Sequence, residues 1–215
     1  MNKNKPAYTI MFMLGLTLVF GTGVSLVHHL TRDMLAENEI MHRNKTLTRA
    51  FGLEVDKDSP AGYARAVKQN ISTQTIIGPE KSWTVHTLDR PGDAQIGFVF
   101  QGQGVWDVIR GILVLDRNLE TVQGLEFLEQ HETPGLGARI EEAEFKNRFK
   151  GLEIAWNQPE NQRIIIGKDT GTGQNNRVDA ITGATQTSMA LMQALNAELE
   201  AFRELVREKD ILRNR

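Results

Sequence analysis

Residues 96–128 read IGFVFQGQGVWDVIRGILVLDRNLETVQGLEFL, and the fold class follows from how that stretch divides. Three runs within it, 96–100, 108–115 and 122–128, are rich in β-branched, aromatic and aliphatic residues. Gly102-Gln103-Gly104 and Asp116-Arg117-Asn118 stand between them, residues that favour tight backbone reversals. Connections this short do not hold a crossover helix, so neighbouring strands run antiparallel. Upstream, 83–88 is a further strand, set off by Arg90-Pro91-Gly92-Asp93. The expectation is an antiparallel meander.

After the meander the pattern becomes helical. From 183 to 208, Met189, Met192, Leu195, Leu199, Phe202 and Val206 recur at three- and four-residue steps, which gives one buried face. A helical segment over 141–149, a short strand over 163–166 and a Gly/Thr/Asn loop over 169–176 come before it. Strands followed by a packed terminal helix predict an α+β domain, an antiparallel sheet packed with helices.

The chain begins differently. Residues 6–31 contain no Asp, Glu, Lys or Arg, and 8–27 are dominated by Ile, Met, Phe, Leu and Val. At a rise of about 1.5 Å per residue, about 20 such residues cross a hydrocarbon core of about 30 Å. A signal peptide has a shorter apolar core and a small-residue cleavage site, and Ser25-Leu26-Val27-His28-His29 supplies no good one. Lys3 and Lys5 before the run favour an N-terminus held in the cytoplasm. The resulting layout is a cytoplasmic N-terminus (1–7), one transmembrane helix (8–28), a connecting helix (29–55) stopping at Gly52, and an extracytoplasmic domain (56–215).

A formal net charge of -2 and the absence of Lys/Arg clusters argue against nucleic-acid binding. The chain has no cysteine, which rules out disulfides, thiolate nucleophiles and any iron–sulfur cluster ligated by this chain alone. Redox chemistry here therefore requires a bound organic cofactor. No metal site is expected.

Two short segments carry chemical potential. Asp179-Ala180-Ile181-Thr182-Gly183-Ala184-Thr185 lies at the mouth of the last helix. Thr182 can cap that helix, while Gly183 and Ala184 let a ligand approach the backbone. The unpaired first-turn N–H groups and the helix dipole favour an anion such as a phosphate. The same run also makes a good helix start with no ligand at all. The second segment is His131-Glu132-Thr133-Pro134-Gly135-Leu136-Gly137, a tight turn whose backbone can approach a flat ligand or simply connect a strand to a helix.

Together these segments resemble the FMN-binding domains of the FMN-carrying subunits of Rnf- and Nqr-type complexes. Asp-x-x-Thr-Gly-Ala-Thr is similar to the family's flavinylation motif, and Glu132-Thr133-Pro134-Gly135-Leu136-Gly137 to its second motif. From average residue usage, a chance Asp-x-x-Ser/Thr-Gly-Ala-Thr in this length is on the order of one in a thousand. The resemblance implies covalent FMN on Thr185 as a phosphoester, transferred from FAD by a flavin transferase that recognises Asp179. It implies that Thr182, Gly183 and Ala184 line the phosphate, and that Glu132, Thr133, Gly135, Leu136 and Gly137 lie against the ribityl chain and ring. Gly102-x-Gly104-Val105-Trp106 is similar to a run of the Nqr member, which makes Trp106 either a flavin neighbour or a core tryptophan. Where the family commonly has His directly after the residue matching Glu129, this chain has Gln130, and no catalytic residue is assigned. The implied protein is a single-pass inner-membrane electron carrier, its domain on the periplasmic side. Its partners are the other membrane subunits of an Rnf- or Nqr-type ion-translocating complex (Na+ or H+). The alternative is a stand-alone anchored flavoprotein.

Overall fold

A computed structural model describes residues 6–79, 81–90, 92–168 and 175–209. Lys3 and Lys5, Pro91 of the expected turn, and residues 169–174 of the expected loop lie outside the described residues. Helix α1 (Pro6–Ala50) is long and apolar enough to cross a membrane. The chain divides into two compact units, Met1–Met41 and His42–Arg215. In the first, Ile10, Phe12, Leu14, Leu18, Phe20 and Val24 are all exposed.

The second unit opens with the end of α1, closed by Gly52 N–H on the Arg49 carbonyl (3.1 Å) and Leu53 N–H on that of Thr48 (2.8 Å). This pair of bonds satisfies carbonyls that the helix leaves open at its end. Helix α2 (Pro60–Asn70) starts on Ser59, whose hydroxyl accepts from the Gly62 N–H at 3.1 Å, with Pro60 in the first turn.

Strands β1 (Ile71–Ile77), β2 (Ser82–Arg90), β3 (Asp93–Gln103), β4 (Val108–Asp116) and β5 (Val122–Glu129) form one antiparallel sheet in chain order. Phe98 pairs with both Val85 and Leu113, and Leu113 in turn with Leu125. Side chains alternate between faces, and both faces are apolar. On one, Trp83, Phe98, Phe100, Leu113 and Phe127 meet Leu195, Leu199 and Phe202 of helix α4 (Thr185–Lys209). The Phe202 ring stacks on Phe98, centroids 4.1 Å apart. On the other, Leu88, Ile112 and Val114 are covered by Leu47, Ala50, Phe51 and Leu53. Gly97 leaves room there for the Phe51 ring, and Gly124 for the carbonyl of Ala50.

The α+β expectation, with a five-stranded antiparallel sheet and one N-terminal apolar helix, holds. Details differ. The sequence reading misses β1, whose polar Ser72, Thr73, Gln74 and Thr75 give little apolar signal. It also misses β7 (Arg177–Val178), which pairs in parallel with β6 (Ile165–Ile166). The segment over 141–149 is not one helix. A 3-10 turn (Gly137–Glu141) ends at Glu142, whose extended backbone (φ -60, ψ 136) separates it from α3 (Ala143–Asn147). Met189, expected on the buried face of α4, is 48% exposed.

Candidate functional site

Both motif segments form the same local structure. In the second motif, the Leu136 N–H donates to the Thr133 carbonyl (3.1 Å), with Pro134 and Gly135 (φ +75) as central residues. In the other, the Ala184 N–H donates to the Ile181 carbonyl (3.0 Å), with Thr182 and Gly183 (φ +83) between them. A positive φ at the third residue is the requirement of a type II turn, and glycine meets it without strain. The turns face each other, since a β-carbon built on Gly183 lies 3.4 Å from Leu136 Cδ2.

Thr182 does not cap α4. It is taken up in the turn ahead of the helix, and Ala184 takes the cap position, its carbonyl accepting from the Ser188 N–H at 3.0 Å. Ala184 has no side-chain acceptor to offer. Among the described residues, the backbone N–H groups of Thr185, Gln186 and Thr187 find no hydrogen-bond acceptor. Thr185 is exposed, its hydroxyl at the first residue of the helix. Such an end, with free donors and a positive dipole terminus, suits an anion. Asp179 is exposed ahead of it, and Ser188 Oγ accepts from the Ile181 N–H at 3.2 Å.

Glu132 lies behind this surface and is 4% exposed. Its Oε1 accepts from the backbone N–H groups of Val105 (2.8 Å) and Trp106 (3.2 Å), and its Oε2 from the Thr187 hydroxyl (2.6 Å). Gly137, also buried, packs against the same groups. The expectation that Glu132 and Gly137 lie directly against a ligand therefore meets a different geometry, in which both face protein. Thr133, Gly135 and Leu136 are exposed. Trp106 is 70% exposed, so it is no core tryptophan, and its Nε1–H donates to Thr133 Oγ1 at 2.9 Å. Gln130 accepts the Glu132 N–H on its side-chain oxygen at 2.8 Å. His131 Nδ1 lies 3.4 Å from Asp107 Oδ2, both at the surface.

Among the described residues of the second unit, five large apolar side chains are exposed: Ile77, Val105, Trp106, Leu136 and Met189. Four of the five sit on the segments joined through Glu132 or on the first turns of α4. An exposed hydroxyl, free N–H donors and a rim of apolar side chains thus occur together. Sequence reasoning missed Thr187 and Val105 here. Their roles depend on contacts between residues 55 and 27 positions apart, which no local pattern encodes.

Residues 104–200, which span all of these groups, match the FMN-binding domain family. The C subunit of the Na(+)-translocating NADH-quinone reductase of Neisseria meningitidis serogroup A is 30% identical over 148 residues, covering 63% of this chain and 57% of the relative. Its counterpart in Pasteurella multocida is 31% identical over 94 residues, covering 44% and 36%. This chain spans about half the length, or less, of these curated relatives. Among solved structures, the same subunit from Parabacteroides distasonis aligns with a TM-score of 0.67 at 23% identity, covering 81% of this chain and 96% of that one. NqrC from Shewanella oneidensis aligns at 0.65 and 16% identity, covering 78% and 98%. At these identities the likeness establishes the fold. The FMN-binding domain match starts at Gly104, so it takes in the Val105–Trp106 loop as well as both turns.

Proposed function

We propose that this chain is a membrane-anchored electron-transfer subunit that carries FMN as a phosphoester on Thr185 within an Nqr-type, ion-translocating oxidoreductase complex. The observation that carries the reading is the exposed Thr185 hydroxyl at a helix start where three backbone N–H groups have no acceptor among the described residues. A phosphate esterified there accepts those donors and meets the positive end of the α4 dipole. Thr182, Gly183 and Ala184 line the phosphate. Thr133, Gly135, Leu136 and Trp106 lie towards the ribityl chain and ring, for which the exposed apolar rim is a suitable floor. The FMN-binding domain match and the relatives named as Na(+)-translocating NADH-quinone reductase subunits support FMN, and they favour an Nqr over an Rnf setting.

Loading requires a flavin transferase that recognises the segment from Asp179. Thr185 Oγ1 forms the new bond to the FMN-side phosphorus of FAD, the pyrophosphate bond breaks, AMP leaves, and the hydroxyl proton is released. Bound flavin supplies reversible electron uptake and release, chemistry that this cysteine-free chain lacks. The chain's own residues retain, orient and partly shield it. Retention by a covalent bond matters on the extracytoplasmic face, where we place residues from about 29 onward, because lost cofactor is not readily replaced there. The orientation follows from Lys3 and Lys5 on the cytoplasmic side of the apolar run. Residues 8–27 hold no Asp, Glu, Lys or Arg, so ion movement belongs to the partner membrane subunits.

Mass spectrometry of the chain co-expressed with a flavin transferase tests the proposal. An FMN adduct on the Thr185 peptide is expected. An unmodified peptide and a colourless protein under those conditions reject it.

A further inference from the structure

We propose that Glu132 is a positioning residue, a buried carboxylate clamp that sets how Thr185 and Trp106 are presented and makes no contact with the cofactor. This rests on the reading of Thr185 given above. Both carboxylate oxygens are occupied by protein donors from two distant segments. Oε1 takes the successive N–H groups of Val105 and Trp106 in the β3–β4 loop, and Oε2 takes the hydroxyl of Thr187 in the first turn of α4. At 4% exposure the residue faces protein rather than the open surface. Charge-assisted bonds of this kind are the strong ones, and a buried carboxylate missing any of them carries a desolvation cost.

The surrounding backbone is shaped for this carboxylate. A β-carbon on Gly104 would stand 2.5 Å from Glu132 Oε1 and 2.7 Å from the Asp107 carbonyl. One on Gly137 would stand 2.5 Å from Thr187 Oγ1 and 2.8 Å from Glu132 Oε2. Each distance is well inside van der Waals contact. Two motif glycines therefore let backbone close around Glu132 from opposite sides, a use different from approach to a ligand. The Glu132 N–H is itself held by Gln130 Oε1.

The clamp acts on the site in two ways. Thr187 lies two residues beyond Thr185, so anchoring its hydroxyl fixes the first turn while Thr185 points outward. Trp106 is held at its backbone by Glu132 and at its indole by Thr133 Oγ1, the neighbouring residue. One carboxylate thereby links the ring-side and phosphate-side parts of the surface. Its negative charge sits on the inner side of the helix start, separated from the outward-facing hydroxyl.

The test uses the full chain, co-expressed with a flavin transferase, as Glu132→Ala, Glu132→Gln, Thr187→Val and Thr187→Ser. Glutamine can accept both N–H groups on its oxygen and donate its amide to Thr187, so it keeps the geometry without the charge. The fraction of Thr185 peptide carrying FMN is expected to fall about tenfold in Glu132→Ala, and to stay within about twofold of wild type in Glu132→Gln. In the unloaded protein, the near-ultraviolet circular dichroism lost on Trp106→Phe should also be lost in Glu132→Ala and kept in Glu132→Gln. Equal loss in the Gln and Ala variants overturns the clamp in favour of direct contact by the charge. Unchanged loading and dichroism in Glu132→Ala overturn it as well. If Glu132→Ala does not fold, the Thr187 pair decides, with loading reduced in Val and restored in Ser; equal loading in both refutes the clamp. Absence of adduct in wild type counts against the Thr185 reading alone, and the Trp106 signal then still tests the clamp.

Discussion

Leu136 stands over Gly183, its Cδ2 3.4 Å from where a β-carbon on that glycine would sit. Two type II turns from separate parts of the chain thus lie side by side. Gly183→Ala adds little bulk, but it places a β-carbon on a residue at φ +83. The expected cost is about 1–2 kcal/mol, from the left-handed backbone alone. Urea denaturation in detergent measures it, and in-gel flavin fluorescence should show reduced loading.

Thr185 is exposed and makes no side-chain hydrogen bond among the described residues. Thr185→Val should therefore leave stability within about 0.5 kcal/mol of wild type. It should abolish ultraviolet-excited flavin fluorescence of the band on a denaturing gel. A variant that stays fluorescent at this position shows that FMN is attached elsewhere.

His86 gives the second unit a pH dependence. It is buried in β2, hydrogen-bonded through Nδ1 to Thr73 Oγ1 at 2.9 Å, and burial lowers its pKa to about 4, assisted by the charge of Arg43. The unfolded chain, near the ordinary value of about 6.5, takes up the proton first as pH falls. Stability is thus complete above about pH 6.5 and declines as pH falls towards 4. Between about pH 7.5 and 5 the loss is about 2 kcal/mol. Urea titrations at the two pH values check this, and His86→Gln should remove most of the difference.

Phe202 is fully buried between Phe98 and Trp83, at centroid distances of 4.1 and 5.6 Å. Phe202→Ala removes the largest fully buried side chain of α4, at an expected cost of about 3–5 kcal/mol. The site depends on where α4 begins, so flavin loading should fall along with the melting temperature.

Much of this architecture is legible in the sequence where physics acts locally. Strands β2 to β5 announce themselves because short turns separate dense apolar runs, and α4 because its core residues keep helical spacing. The Pro134–Gly135 turn and the helix start near Thr185 are legible because their residue types are conformationally restrictive. The edge strand β1 is not, since its mostly solvent-facing residues carry no apolar alternation. The cap at Ala184 is also hidden. Thr182 is the better capping residue by type, but Gly183 turns the chain before the helix can use it. Nor does local sequence show that Glu132 reaches Thr187, because that pairing exists only once α4 has packed on the sheet and the turn after β5 meets its first turn.

The end of α1 has a practical consequence. Leu47, Ala50, Phe51 and Leu53 roof the second face of the sheet, so they pack as part of the domain although they precede its expected start at residue 56. A water-soluble version must be severed ahead of His42. Starting it at residue 56 would unroof Leu88, Ile112 and Val114 and leave a sticky sheet that self-associates.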